Sequence, residues 1–96
     1  MSAPRFTPAA RSDLSAIWDF TEEHWDGAQA DAYVHELYAV AERVTETPER
    51  GLRVDAIRQG YRRYSIGSHL LFYAVLEGEV TIVRILHQRM DPTRHF

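Results

Sequence analysis

The 96-residue chain contains neither cysteine nor lysine, and each absence removes a class of chemistry. Without cysteine there are no disulfides, thiolate metal ligands or cysteine nucleophiles. Without lysine there is no Schiff-base catalysis and no P-loop lysine to bind phosphate. No apolar run approaches the roughly 20 residues that a membrane span needs, and the N-terminus lacks the apolar segment of a secretory signal. These absences favour a cytoplasmic protein with no membrane association.

The residue spacings of common active sites are also missing. His35-Glu36 begins like the zinc-protease motif HExxH, but Ala39 stands where that motif requires its second histidine. No serine lies in the G-x-S-x-G context of a hydrolase nucleophile, and no glycine-rich loop is present to bind phosphate. We therefore predict no metal site and no cofactor.

The charges are distributed unevenly between the two halves of the chain. Residues 1–49 carry three arginines and ten acidic residues, a net charge of −7, whereas residues 50–96 carry eight arginines and four acidic residues, a net charge of +4. If each half forms its own layer, the molecule has an acidic face and a basic face. Because a basic surface attracts nucleic acids and acidic protein segments alike, charge alone does not identify the partner.

Apolar periodicity in the first half predicts an antiparallel helical hairpin over about residues 8–47. Thr7 is expected to cap the first helix, with Pro8 at its first position. Asp26-Gly27 is expected to end that helix, because glycine tolerates the left-handed cap conformation. The residue before Pro48 is pushed out of the helical region, which ends the second helix. Three aromatic residues at helical spacing are expected to pack the hairpin and seat it on a sheet: Trp18, Trp25 and Tyr33.

The second half predicts three antiparallel strands over residues 61–66, 69–76 and 79–87, joined by tight turns at Gly67-Ser68 and Glu77-Gly78. Residues 49–60 are expected to form a connector without a regular element, and residues 92–96 a loose tail. With a short extended start at Arg5-Phe6, the predicted fold is α+β, with the order β-α-α-β-β-β, in a single domain spanning residues 1–96. Helices on one face would leave the other face of the sheet open.

The predicted sheet concentrates side chains that could serve either catalysis or binding. Histidine or tyrosine could move protons during RNA cleavage while arginine stabilises phosphate charge. Interfaces are also rich in arginine and tyrosine, and this composition favours binding. The set comprises Arg58, Tyr61, Arg62, Arg63, Tyr64, His69, Tyr73, Arg84, His87 and Arg89.

In order and spacing, several short patterns resemble the ParE toxins of the RelE/ParE superfamily, over about residues 5–91. The patterns are Pro8-Ala9-Ala10, Asp13-Leu14, Ile17-Trp18, Trp25 with Gln29-Ala30 and Tyr33, Gly60-Tyr61-Arg62, Gly67-Ser68-His69, Phe72-Tyr73 and residues 83–91. The resemblance implies a RelE/ParE-like fold: an N-terminal strand, a helical hairpin and an antiparallel sheet. It also implies a toxin of a type II toxin–antitoxin system that inhibits DNA gyrase and replication.

The resemblance further implies a ParD-like antitoxin, whose disordered segment folds on binding and forms a hetero-oligomer with the toxin. DNA would be contacted only indirectly, through the antitoxin. We expect the antitoxin segment to lie along a groove between the helical hairpin and the sheet edge. The expected antitoxin contacts are Leu14, Trp18, Arg62, Arg63, Tyr73, Arg84 and Arg89. The candidate gyrase contacts are His69, His87 and Arg89.

The sequence is also compatible with two alternatives to gyrase inhibition. RelE-like relatives cut mRNA on the ribosome, and Arg62, Arg84 and His87 could be the corresponding catalytic residues. The absence of lysine, and of any tyrosine after Tyr73, favours the non-catalytic gyrase branch over this nuclease. The second alternative is a non-toxic module that only binds an antitoxin.

Overall fold

The computed structural model describes residues 3–96, which form two helices against one face of a five-stranded sheet. The helices are α1 (Pro8–His24) and α2 (Gly27–Glu46). The strands are β1 (Arg5–Phe6), β2 (Leu52–Arg53), β3 (Arg62–Ile66), β4 (His69–Leu76) and β5 (Glu79–His87), with short 3-10 turns at Pro48–Arg50 and Pro92–Arg94. The predicted α+β class and the order of its elements are confirmed. Among the described helices, none has the length and apolarity needed to cross a bilayer.

The first helix begins as the sequence predicts. The side-chain oxygen of Thr7 accepts a hydrogen bond from the backbone N–H of Ala10 at 3.0 Å, and Pro8 occupies the first helical position. The Thr7 hydroxyl also donates to the carbonyl oxygen of Val83 at 2.7 Å. This residue therefore caps α1 and fixes the start of α1 against β5.

The joint between the helices differs from the prediction. Residue Gly27 is the first residue of α2 and does not have a positive φ, so it is not a left-handed cap of α1. Instead, the carboxylate of Asp26 accepts a hydrogen bond from the N–H of Gln29 at 2.7 Å and caps α2. Because the next helix begins so soon, an aspartate cap for α2 takes the place of a glycine cap for α1.

The sheet has the strand order β1-β5-β4-β3-β2, in which β1 runs parallel to β5 and the other pairs are antiparallel. The three predicted strands and both tight turns are confirmed. The prediction of a three-stranded sheet is incomplete because β1 and β2 extend it at both edges. Part of the connector at 49–60 is therefore ordered as the edge strand β2.

The core lies between the helices and one face of the sheet. Leu14, Ile17, Leu37 and Val44 from the helices pack with sheet residues that include Leu71, Tyr73, Ile82 and Ile85. Two of the three aromatic residues predicted to pack here behave differently. Trp25 is 72% exposed, and the half-buried Trp18 donates from its indole N–H to Asp31 at 2.9 Å. Tyr33 is partly buried against the core, as expected.

The opposite face of the sheet is not left open, because the C-terminal tail folds back over part of it. The ring centroid of Phe96 lies 5.2 Å from that of Phe72 and 5.7 Å from that of Tyr61. Asp91 caps the 3-10 turn by accepting from the N–H of Thr93 at 3.0 Å. The prediction of a loose tail at 92–96 is therefore wrong, and the aromatic contacts of Phe96 give the physical reason.

Candidate partner-binding site

A groove of about 510 Å³ opens where the helical hairpin meets the end of the sheet. Its walls come from α1, the start of α2, the β3–β4 turn and the last residue of β5. Cavities of this volume are typical of binding sites. The residues that line this groove are Ala16, Ile17, Phe20, Thr21, Trp25, Gln29, Tyr33, Ser68, His69 and His87.

One wall of the groove carries aromatic side chains that the protein does not bury. Phe20 is 60% exposed, Trp25 is 72% exposed, and the ring of Phe20 stacks on that of His24 with centroids 4.0 Å apart. Residues 16, 17, 20 and 21 recur at helical spacing, so α1 presents them as one stripe. Clustered apolar exposure of this kind marks interaction surfaces.

The floor of the groove is a polar cluster of Tyr33, His69 and His87. The hydroxyl oxygen of Tyr33 lies 2.6 Å from Nδ1 of His69 and 3.3 Å from the carbonyl oxygen of Ile66. His69 and His87 are cross-strand neighbours whose rings lie 5.3 Å apart and nearly perpendicular. A Cβ atom at Gly67 would lie 2.8 Å from the Tyr33 hydroxyl, so glycine is needed for this approach.

Burial lowers the pKa of His69 below its ordinary value, and the neighbouring His87 lowers it further. The carboxylate of Asp13 acts in the opposite direction and raises the pKa. Because the first two causes prevail, His69 favours its neutral form near neutral pH. The floor of the groove can therefore accept an apolar partner without burying an imidazolium charge at this position.

The predicted site residue Arg84 does not line the groove. Its Nε and Nη2 atoms each donate to a carboxylate oxygen of Asp13 at 2.8 Å, and its Nη1 donates to the carbonyl oxygen of His95 at 3.3 Å. The hydrogen bonds to Asp13 raise the pKa of this guanidinium. Asp13 also accepts from the backbone N–H of Ile85 at 2.9 Å. The guanidinium is thus engaged within the protein, which opposes the prediction that it meets an antitoxin or a phosphate.

Leu14 and Tyr73, both predicted to contact the antitoxin, lie inside the protein. Their exposures are 6% and 1%. The Tyr73 hydroxyl donates to the carbonyl oxygen of Pro48 at 2.6 Å and accepts from the N–H of Gly51 at 2.8 Å. Burial is the largest cause of the raised pKa of this phenol. These two residues are therefore structural, and Tyr73 anchors the start of the connector.

The structure separates the residues of the nuclease alternative. Arg62 is in register with Tyr73, and Tyr73 with Ile82, whereas His87 is in register with His69, the partner of Ile66. The backbone of Arg62 lies about 13 Å along the strand direction from the position level with His87. The two strands that carry these residues, β3 and β5, are two strand spacings apart, which is about 10 Å. Since Arg84 is also held by Asp13, the three residues do not converge on one phosphate.

The remaining predicted residues divide between two regions. Arg62 and Arg63 lie at the β2 edge of the sheet, and both are half-buried. Arg89 is exposed just beyond β5, and its backbone N–H donates to Nδ1 of His87 at 3.2 Å. His69 and His87, the candidate gyrase contacts, meet in the groove floor.

Sequence reasoning missed Phe20 as a groove residue and placed Trp25 in the core. Phe20 could have been recognised from the sequence, because it is an aromatic residue of α1 that lies outside the apolar stripe facing the core. Trp25 follows the last helical residue, and its backbone, with φ −129° and ψ −93°, leaves the helical path. Helical spacing therefore does not apply at that position.

The family described as "ParE toxin of type II toxin-antitoxin system, parDE" matches residues 5–92. Toxin ParE1 of Mycobacterium tuberculosis is 47% identical over 90 residues, which cover 93% of this chain and 92% of that relative. Toxin ParE1 of Caulobacter vibrioides is 40% identical over 95 residues, which cover 99% and 98% of the two chains.

A solved structure described as a chromosomal ParDE TA system from P. aeruginosa has the same fold, with a TM-score of 0.78. It is 20% identical and covers 91% of this chain and 96% of its own. The family resemblance that the sequence motifs carry is confirmed by these matches. This chain belongs to the ParE family of toxins of type II toxin–antitoxin systems.

Proposed function

We propose that this chain is a non-catalytic toxin that inhibits DNA gyrase in the cytoplasm and is neutralised by a ParD-like antitoxin seated in the groove. The observation that carries the proposal is the groove itself, in a chain of the ParE family. It offers an exposed aromatic wall and a floor with a neutral His69. Of the two arginines of the nuclease alternative, Arg62 lies away from His87 and Arg84 is paired with Asp13.

An amphipathic antitoxin segment is the occupant that fits the groove. Its apolar side chains would contact Phe20 and Trp25, in the manner of a helix placed in a groove. An acidic residue beside those apolar anchors would lie near Arg89, which is exposed next to His87. The solved P. aeruginosa relative is described as a ParDE system, which supports a partner of this kind.

Neutralisation would follow from overlap between the two binding sites. The candidate gyrase contacts His69 and His87 form part of the groove floor, and Arg89 lies beside them. An antitoxin segment in the groove would cover these residues, so that gyrase and antitoxin compete for one surface. Leu14 and Tyr73 are left out of the proposed interface because the protein already buries them.

A supercoiling assay with purified toxin tests the target. The toxin in molar excess should block ATP-dependent supercoiling by gyrase, and addition of the cognate antitoxin should restore it. Supercoiling that proceeds unchanged at excess toxin would remove gyrase as the target. The nuclease alternative is tested in parallel, because it requires ribosome-dependent mRNA cleavage that His87→Ala abolishes. A module that only binds its antitoxin would leave growth unaffected when expressed alone.

A further inference from the structure

Residues 50–63 carry five arginines and one acidic residue. Within residues 3–96, the carboxylates that pair with arginine reach Arg5, Arg53, Arg84 and Arg94. We define the basic edge as the four arginines of this segment that no carboxylate pairs within the described structure: Arg50, Arg58, Arg62 and Arg63.

The one acidic residue of this segment is already engaged. Asp55 accepts hydrogen bonds from Nε of Arg53 and from the backbone N–H of Gly60, both at 2.8 Å. The hydrogen bond from Gly60 is the largest cause of the lowered pKa of this carboxyl. Because this carboxylate is held by Arg53 and Gly60, it forms no ion pair with the four arginines of the basic edge in residues 3–96.

The strand register brings like charges together at this edge. Arg53, paired with Asp55, lies directly opposite Arg62 on β3, so the cross-strand neighbour of Arg62 is a second guanidinium and not a carboxylate. Arg63 follows Arg62 in the strand and therefore points to the other face. Arg50 and Arg58 are exposed on the segments that flank the two strands. Positive charge thus continues around the edge of the sheet instead of forming a single pocket.

Two of these guanidinium groups are held in place before any partner arrives. Nη1 of Arg62 donates to the carbonyl oxygen of Gly51 at 2.7 Å, which leaves its other N–H groups for a ligand. The guanidinium carbon of Arg58 lies 5.8 Å from the ring centroid of Tyr61. A guanidinium fixed in this way loses less conformational entropy on binding an anion.

We propose that the basic edge binds the phosphate backbone of duplex DNA. A protein partner would need an apolar centre to its interface, and the described structure provides little of one here. Leu52 is a large exposed apolar residue of this edge, and residues 50–63 do not line the groove or either of two further cavities, which lie at residues 3–46. Charge without an apolar centre suits a polyanion, whose binding is driven by release of counterions.

DNA binding at the basic edge would explain why this edge and the groove are separate surfaces. The proposal rests in part on the proposed function, because gyrase acts on duplex DNA. The basic edge lies about 13 Å along the strands from the histidines of the groove, so both can be occupied together. A toxin bound to gyrase through the groove would then reach the DNA that gyrase holds. This departs from the expectation that DNA is contacted only through the antitoxin.

Fluorescence anisotropy of a labelled 20-base-pair duplex, titrated with the full chain between 50 and 200 mM salt, tests the proposal. About four phosphate contacts predict that the logarithm of the binding constant falls with that of the salt concentration with a slope of about −3.6. The double variant Arg50→Gln/Arg58→Gln changes only exposed side chains and should reduce this slope by about 2. The matched control Arg11→Gln/Arg43→Gln removes the same charge from exposed positions of the helices and should leave the slope unchanged.

Three outcomes would overturn the proposal. The first is no binding at 50 mM salt, and the second is an equal loss in the basic-edge and control variants. The third is that the basic-edge variant loses affinity for a glutamate-rich peptide while duplex binding is unchanged, which would make an acidic protein segment the partner. The supercoiling assay tests the proposed function separately. The protein could bind duplex DNA without inhibiting gyrase, and it could inhibit gyrase without binding DNA through the basic edge.

Discussion

Asp13 on α1 and Arg84 on β5 form a bidentate ion pair in which both nitrogen–oxygen distances are 2.8 Å. The same carboxylate accepts the backbone N–H of Ile85, so one side chain completes both an ion pair and the hydrogen bonding of a strand. The two side chains are 13% and 21% exposed, which distinguishes them from the other ion pairs of the chain.

Replacement of Asp13 by alanine should destabilise the protein by about 2–3 kcal/mol, because it leaves a shielded guanidinium and a strand N–H without their acceptor. Equilibrium denaturation followed by circular dichroism measures this change. Glu77→Gln is the matched control, since it removes a carboxylate from an exposed contact with Arg5. That control should cost less than about 0.5 kcal/mol. Equal effects of the two changes would show that Asp13 has no special structural role.

Acidification should destabilise the protein through His69. The pKa of its imidazole is lower in the folded protein than the ordinary value of 6.5, so the unfolded chain takes up the proton first. The free energy of unfolding should therefore fall as pH drops through 6.5 towards the folded-state pKa, and this contribution should be fully retained above 6.5.

Denaturation at pH 7.5, 6.5 and 5.5 measures that dependence, and His69→Asn should flatten it. Asparagine keeps an acceptor for the Tyr33 hydroxyl and removes the titrating group. The control is His24→Asn, on the exposed end of α1. If both variants show the pH dependence of the parent chain, His69 is not responsible for it.

The aromatic wall of the groove should supply much of the affinity for the antitoxin. Trp25→Ala and Phe20→Ala should each weaken binding by about 10-fold or more, because aromatic side chains in apolar sites are frequent hot spots. Isothermal titration calorimetry with the cognate antitoxin measures the loss. Tyr38→Ala alters another exposed aromatic residue, outside the groove, and should change affinity little. Unchanged binding by both groove variants would place the antitoxin elsewhere.

Substitution of Gly67 by alanine should cost more stability than the same change at Gly78. Both glycines have positive φ, at +55° and +78°, so each substitution carries about 1 kcal/mol of backbone strain. Only at Gly67 would the new Cβ meet a neighbour, the Tyr33 hydroxyl at 2.8 Å, because Gly78 has open space around it. In a Tyr33→Phe background the excess cost of Gly67→Ala should shrink, and denaturation midpoints of the four variants measure this. An excess that persisted there would point to a cause other than the hydroxyl.

The sequence predicted best those features that depend on nearby residues. The two helices, the Thr7 cap of α1, the end of α2 before Pro48 and both tight turns follow from periodicity and from proline or glycine at short range. The two-residue strands β1 and β2 are too short to show any period, and they form only because β5 and β3 supply partners.

For the candidate site, the sequence predicted a groove beside the hairpin and named His69 and His87, which lie in its floor, but it missed the aromatic wall of Phe20 and Trp25. The roles of Arg84 and Tyr73 depend on Asp13, Pro48 and Gly51, which lie 22 or more residues away in the chain. An arginine in a strand has the same local pattern whether it faces a partner protein or an internal carboxylate. Only the tertiary contacts decide between these two environments for an arginine. They also decide whether Trp25 is buried or exposed.

Thr7 and Asp13 near the N-terminus have long-range hydrogen-bond partners in Val83, Arg84 and Ile85, more than 70 positions later. During synthesis the helical hairpin therefore emerges long before the strand that completes its surroundings. A nascent chain should remain incompletely folded, and thus harmless, until translation is nearly finished. The antitoxin would then have to capture only released chains, and truncated products of interrupted translation would be substrates for proteolysis instead of active toxin.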